Sequence, residues 1–280
     1  MIALLFGMIG LAQAANLDGV DKDCRDVATD LQAKIADGST DYDDIAQADF
    51  LLNYFSLATT YSPLHAPIPG KQGSGTLSVE LAGIPSLGCE RRLVLGATKT
   101  EDTNKAPVVP RPRLGMVFNK VFGVIPYASV AYVPPVTVFG TRNVIVSGEA
   151  GFGAMAGERV QWGARYHFTL MKTVAEIATP FDVNDEAQVD FYMGSTFGVD
   201  GMIGMKLGSF KPYAALGFTD VSTFFYIGDD AIVGNNASPY AGLTGSLGVQ
   251  YTKDWLDVAG EFYTAPGYLY TGRLRAGVRF

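Results

Sequence analysis

Two histidines, His65 and His167, set the limits of any acid–base chemistry in this 280-residue sequence. His167-Phe168-Thr169 puts a hydroxyl two residues from an imidazole, on the same face if the chain is extended there. Hydrolytic sites need a further Ser or Asp partner in register, and the residue two positions before His167 is Arg165. An imidazole beside a guanidinium reads as a member of a polar network, so no enzyme is expected. No His, Cys, Asp or Glu cluster has zinc or calcium spacing, so neither a metal nor another cofactor is expected. The two cysteines, Cys24 and Cys89, form an even pair, which in an oxidising compartment implies a disulfide.

The remaining chemistry is charge. Glu80, Arg113, Glu149, Arg165, His167, Asp190, Asp200, Lys211, Asp257, Glu261, Arg273 and Arg275 all stand on the polar side of segments that alternate at a period of two. Their signs nearly balance. An ion-selective pore would show a ring of one sign, whereas mixed charges pair across a lumen and narrow or close it. Glycines and alanines on the same side leave room, so a water-filled passage, a plugged passage and a packed interior are all compatible with the pattern.

Those charges need strands to position them. The last twelve residues separate into an apolar row, Tyr270, Gly272, Leu274, Ala276, Val278 and Phe280, and a row containing Arg273, Arg275 and Arg279. Val160, Trp162, Ala164, Tyr166, Phe168 and Leu170 oppose Gln161, Arg165, His167 and Thr169 in the same way. A long row from Val189 to Leu207 opposes Asp190, Tyr192, Thr196, Asp200 and Lys206. An outer row of this kind has no use in water, and its inner counterpart has none in lipid. Further strands are read at 75–82, 93–97, around 114–118, at 144–154, 210–227, 239–252 and 255–264. Counting the run before Tyr132 as well, the tally is odd, and single-chain bacterial barrels have even numbers. A first strand at Tyr54–Tyr61 gives about twelve, and ten results if one weak early run is irregular. The expected fold is therefore all-β, an antiparallel transmembrane β-barrel. Connections alternate between tight turns and longer loops such as 98–110, 134–142, 172–187 and 228–238, and this count places Cys89 on the short-turn, periplasmic rim.

The chain's first residues fit export. Ile2–Leu11 is apolar and precedes Ala12-Gln13-Ala14, so residues 1–15 read as a signal peptide. Val20, Cys24, Val27, Leu31 and Ile35 then recur at helical spacing, Gly38 ends that helix, and a second runs from about Asp41 to Asn53. Residues 16–53 are expected as a helical segment, either packed on the periplasmic end or plugging the lumen, and residues 54–280 as the barrel. Beyond the signal no apolar run approaches the roughly 20 residues of a membrane-spanning helix. A net charge of −7 excludes a nucleic-acid partner, which needs a basic face.

A terminal Phe280 behind alternating apolar residues resembles the assembly signal of bacterial outer-membrane barrels. Together with the signal, the helical lead-in and the Pro-, Tyr- and Gly-rich strands, it makes the chain similar to uncharacterised, porin-like outer-membrane β-barrel families. It is more loosely similar to plugged transporters of hydrophobic compounds. The resemblance implies residence in the outer membrane, with outer-membrane lipid, the barrel-assembly machinery and other envelope proteins as partners. It implies a passive channel or uptake pore for small solutes, or else a non-conducting barrel that anchors an envelope complex.

Overall fold

A computed structural model of the chain describes residues 15–101, 103–104, 106–138, 140–175, 190–227, 232–235 and 239–280. Nearly all of the stretch expected as a signal peptide, and parts of the connections expected at 98–110, 134–142, 172–187 and 228–238, lie outside these residues. After a 3-10 turn the elements run α1 (Arg25–Asp37), α2 (Asp44–Ala58), β1 (Gly75–Gly83), α3 (Cys89–Arg92), β2 (Leu93–Val94), β3 (Lys99–Thr100) and β4 (Val108–Val117). They continue with β5 (Ile125–Val138), β6 (Thr141–Ala156), β7 (Val160–Ala175), β8 (Asp190–Met205), β9 (Phe210–Ile227), β10 (Ile232–Asn235), β11 (Ala241–Lys253), β12 (Leu256–Ala265) and β13 (Leu269–Arg279).

Ten of these strands close into an antiparallel barrel in the order β1, β4, β5, β6, β7, β8, β9, β11, β12, β13, with β13 returning to β1. β10 only extends the end of β9, and β2–β3 is a separate hairpin. Period-two patterning sets which face is which. Leu77, Trp162, Ile203, Leu216, Leu247 and Leu274 are among the residues that point outward and stay exposed, Leu247 at 66%. Among the described residues no helix is long and apolar enough to cross a membrane.

The count is ten and not twelve, for two physical reasons. The stretch expected as a first strand, Tyr54–Tyr61, continues α2 to Ala58 and then runs inside the barrel, where Tyr54, Leu57 and Tyr61 are buried. Apolar all round, this end of α2 suits enclosure better than a two-faced wall. The run 93–97 also leaves the wall: Leu95, Gly96 and Ala97 all have positive φ, at 55°, 65° and 63°, and such a conformation cannot propagate a strand. Leu93 and Ala97 instead pack under α1 against Val20, Cys24 and Ala28.

That correction moves Cys89. With 93–97 outside the wall, the whole connection 84–107 belongs to the rim of the longer loops, opposite the rim that carries Gly75, Phe280 and the tight turns at 157–159, 206–209 and 254–255. The disulfide Cys24–Cys89 is present, with Cα atoms 5.3 Å apart, and it fastens α1 to α3 on the long-loop rim instead of the short-turn rim. This cap is further pinned by Tyr42, whose hydroxyl lies 3.3 Å from the Leu93 carbonyl and 2.8 Å from Asp44, itself the acceptor of the Gly96 N–H at 2.8 Å; burial, then the hydrogen bond to Asp44, push the Tyr42 hydroxyl's pKa up. The expected long connection 134–142 is mostly strand, since β5 resumes pairing with β6 at Val136 after a bulge.

Candidate functional site

Leaving α2, residues 59–70 pass down the lumen from the long-loop rim to the short-turn rim and reach β1 through a turn in which the Gly73 N–H donates to the Val117 carbonyl at 2.8 Å. A dozen extended residues reach roughly 40 Å at most, enough to cross a hydrocarbon layer of about 30 Å. Pro63, Pro67 and Pro69 and a positive φ at Leu64 (51°) keep this segment out of any helix or ladder. Its buried backbone groups must then find partners among side chains, and they do.

Four arginines take the carbonyls of the upper half. Arg273 donates to the carbonyls of Leu57, Ala58 and Thr60, Arg111 to Thr59 at 3.0 Å, Arg165 to Tyr61 at 2.9 Å and Arg113 to Ser62 at 3.1 Å. The lower half is held by wall side chains that accept or donate in turn. Leu64 N–H donates to Glu261 at 3.1 Å, Ala66 N–H to Gln250 at 3.2 Å and Ile68 N–H to Gln161 at 3.3 Å. Lys211 donates to the Ile68 carbonyl at 3.3 Å, and Gln250 to the Pro69 carbonyl at 2.9 Å.

Three of these four, Arg111, Arg113 and Arg165, are themselves neutralised by carboxylates, as is the neighbouring Arg275, whereas Arg273 is held by the carbonyls and by an aromatic ring. Arg111 pairs with Glu80 at 2.5 Å, and Arg113 pairs with Glu149 and lies 3.5 Å from Glu80. Arg165 bridges Glu149 at 2.7 Å and Asp200 at 2.6 Å, and Arg275 pairs with Asp257 at 2.6 Å. Arg113 also stacks 4.2 Å from the Tyr61 ring, and Arg273 lies 4.0 Å from the Tyr263 ring. Two glycines admit the chain where it passes closest: a Cβ at Gly153 would sit 2.2 Å from the Pro67 carbonyl oxygen, and one at Gly194 2.2 Å from the Ser56 hydroxyl.

The structure thus brings Glu80, Arg113, Glu149, Arg165, Asp200, Lys211, Asp257, Glu261, Arg273 and Arg275 together inside the barrel, all buried. His167 is buried 3.6 Å from Asp200. Asp190 opens β8, and its side chain lies outside the described residues. Phe280 sits at the short-turn rim with its ring 69% exposed and its backbone paired to Gly75. Sequence reasoning passed over Arg111, although stepping back by two from Arg113 reaches it; Pro110 and Pro112 disguised the strand. It also missed that Tyr61 and His65 lie in the lumen within residues 59–70, and that Gln161, Gln250 and, through Glu261, Tyr213 hold that segment. The signal was available in Ser62–Gly70, an uncharged, proline-rich run too apolar for an exposed loop save for one histidine. That histidine donates through Nδ1 to the Ala66 carbonyl at 2.7 Å, and its Nε2 lies 3.0 Å from Glu149. Both imidazoles are sealed from solvent, and among the described residues no group of three or more His, Cys, Asp or Glu is placed to hold a metal.

Among the described residues the larger spaces lie toward the long-loop rim. A chamber of about 50 Å3 lies between Phe55, Ile84, Ile145, Met171 and Tyr192. Beside it is a cavity of about 230 Å3 among β1, β4, β5 and β6, lined chiefly by valine and proline.

No protein-family model and no curated protein matches the chain. Solved structures do. The translocator domain of autotransporter NalP from Neisseria meningitidis is similar over 75% of this chain and 89% of that one, at 10% identity and a TM-score of 0.49. Ail, the attachment invasion locus protein of Yersinia pestis, is similar over 75% and 100% at 11% identity and a TM-score of 0.34. A mutant of the monoaromatic hydrocarbon channel TodX is similar over 76% and 70% at 11% identity and a TM-score of 0.32. The barrel assignment rests on this chain's own strand register.

Proposed function

We propose that the protein is a bacterial outer-membrane β-barrel for passive uptake of small uncharged solutes, closed along its axis to ions by its own residues 59–70. Placement in a membrane is supported by the outward apolar rows, since a closed barrel leaves no edge and satisfies every wall donor and acceptor internally. An outer-membrane location is supported by the strand architecture and by the export signal read in residues 1–15. Closure to ions is supported by the buried arginine-carboxylate pairs, which fill the lumen at mid-height around residues 59–70. No catalytic step belongs to this reading.

One observation carries the uptake role: the lumen is filled at mid-height, but toward the long-loop rim it keeps a chamber of about 50 Å3 that abuts an apolar cavity of about 230 Å3 in the wall. A purely structural barrel would have no need of that space. The test pairs two measurements. Wild-type protein in a planar bilayer should show no ionic steps, while a porin-depleted host displaying it should take up small uncharged solutes faster than the same host without it. Ionic steps from the wild type would refute axial closure. Unchanged uptake of every solute would leave the alternative, a non-conducting anchor for an envelope complex.

A further inference from the structure

We infer that the wall has a side port between β4 and β5, near the long-loop rim, which takes small apolar molecules from the lumen chamber to the bilayer. This deepens the uptake reading and rests on it. The port follows from where three prolines fall.

Val117 N–H donates to Ser74 on the β1 side, and the next residue, Phe118, donates to Pro126 on the β5 side. Backbone donors alternate between the two sides of a strand, so residues 116, 114, 112 and 110 present their nitrogens to β5. The β4–β5 register runs from Val117↔Tyr127 to Arg113↔Ala131 and then stops. The next positions facing across would be Pro112 with Tyr132 and Pro110 with Pro134. Proline has no N–H, so at the second of these neither strand has a donor to offer.

Both flanks stay intact. β4 remains paired with β1 as far as Val108, and β5 with β6 as far as Val138, across a bulge between Val133 and Val136 that bends β5. Between two strands that each keep their other neighbour, a seam opens in the wall. Proline also lowers the cost of the seam beside lipid, because Pro110, Pro112 and Pro134 have no N–H to leave unpaired there.

The 230 Å3 cavity occupies this seam. Its lining includes outward-facing Pro112 and Pro134 and inward-facing Val109 and Val133, so it crosses the plane of the wall. It shares Ala106, Val109, Thr141 and Asn143 with the lumen chamber, so the two spaces abut. No charged residue lines it, and Thr141 and Asn143 are its polar members. An apolar cavity of about 150 Å3 holds benzene and stays dry, so this one has room for a one- or two-ring hydrocarbon or an aliphatic molecule of similar bulk. Ions and sugars are excluded by desolvation.

The test uses the full-length chain in a porin-depleted Gram-negative host. Uptake of N-phenyl-1-naphthylamine, an apolar fluorophore that brightens inside membranes, is compared with uptake of radiolabelled arabinose. The wild type should speed fluorophore uptake several-fold. Two variants should return it toward background at equal amounts of folded barrel: P110V/P112V/P134V, which restores the donors and lets the seam zip, and V136W, which fills the cavity from a half-exposed position. Arabinose uptake should be the same in wild type and variants. If the triple variant fails to fold, V136W decides alone. Undiminished fluorophore uptake by folded V136W would overturn the port while leaving the uptake role standing. No acceleration of either probe by the wild type would overturn the uptake role and the port together.

Discussion

Arg165 shows what the charged residues do in this barrel. Its guanidinium touches Glu149, Asp200 and the Tyr61 carbonyl at once, so each contact assumes the others. Removing one partner of a buried pair leaves uncompensated charge and typically costs about 3 to 5 kcal/mol. Arg165→Ala should therefore lower the barrel's unfolding midpoint by that equivalent and produce flickering ionic steps as residues 59–70 loosen; an unchanged midpoint with silent bilayers would show that the clamp is not needed. Gly153→Ala puts a methyl group against a backbone carbonyl, which a flexible side chain cannot relieve, and a drop in melting temperature larger than for Gly260→Ala is expected. On the outer face the rule reverses. Leu247→Arg, if near mid-bilayer, should cost about 2 to 4 kcal/mol, measurable by unfolding in liposomes, whereas an Arg there tolerated as well as an Ala would contradict a lipid-facing position. At the residue scale the sequence was readable wherever alternation was unbroken, as in Gln161 to Thr169 or Thr271 to Arg275. Arg111 escaped because prolines on both sides hid its strand.

Among the elements, the cap of α1, α3 and the β2–β3 hairpin is joined to the barrel differently from the inner segment. The disulfide closes a separation of 65 residues, for which the chain-entropy model gives about 4 kcal/mol. That stabilisation belongs to the cap, while residues 59–70 are held by wall side chains well below it. Reduction should therefore expose residues 15–37 to protease yet leave bilayer conductance and the barrel melt unchanged; new ionic steps on reduction would mean that the cap, and not the arginines, seals the lumen. Cap and wall were hard to tell apart in the sequence because Leu93, Leu95 and Ala97 alternate as a strand does. What distinguishes them is the left-handed backbone at Leu95 and Ala97 and the burial of Leu93 and Ala97 under α1. The same misreading put Cys89 on the wrong rim. Strand ends were read closely where turns are tight, as at 206–209, since a two-faced pattern stops abruptly there. At the other end of the wall, deleting Phe280 removes an exposed ring and one backbone pair, so insertion should slow more than the folded barrel weakens, as followed by heat-modifiable migration over time.

For the whole molecule, the barrel and its sign-balanced interior were legible, but what filled the interior was not. A lumen of mixed charges fits a narrowed channel and a plugged one equally well, and residues 59–70 carry no period that would announce a strand or helix. Their role follows only from topology, with α2 on one rim and Gly75 on the other. The central claim is that this segment threads the barrel and is bonded to it along its length. Amide hydrogen exchange of the detergent-solubilised full chain tests this directly. Leu64, Ala66 and Ile68, which donate to Glu261, Gln250 and Gln161, should exchange as slowly as the wall strands, because opening them requires the barrel to open. Exchange at these amides as fast as in an unstructured peptide would contradict the account.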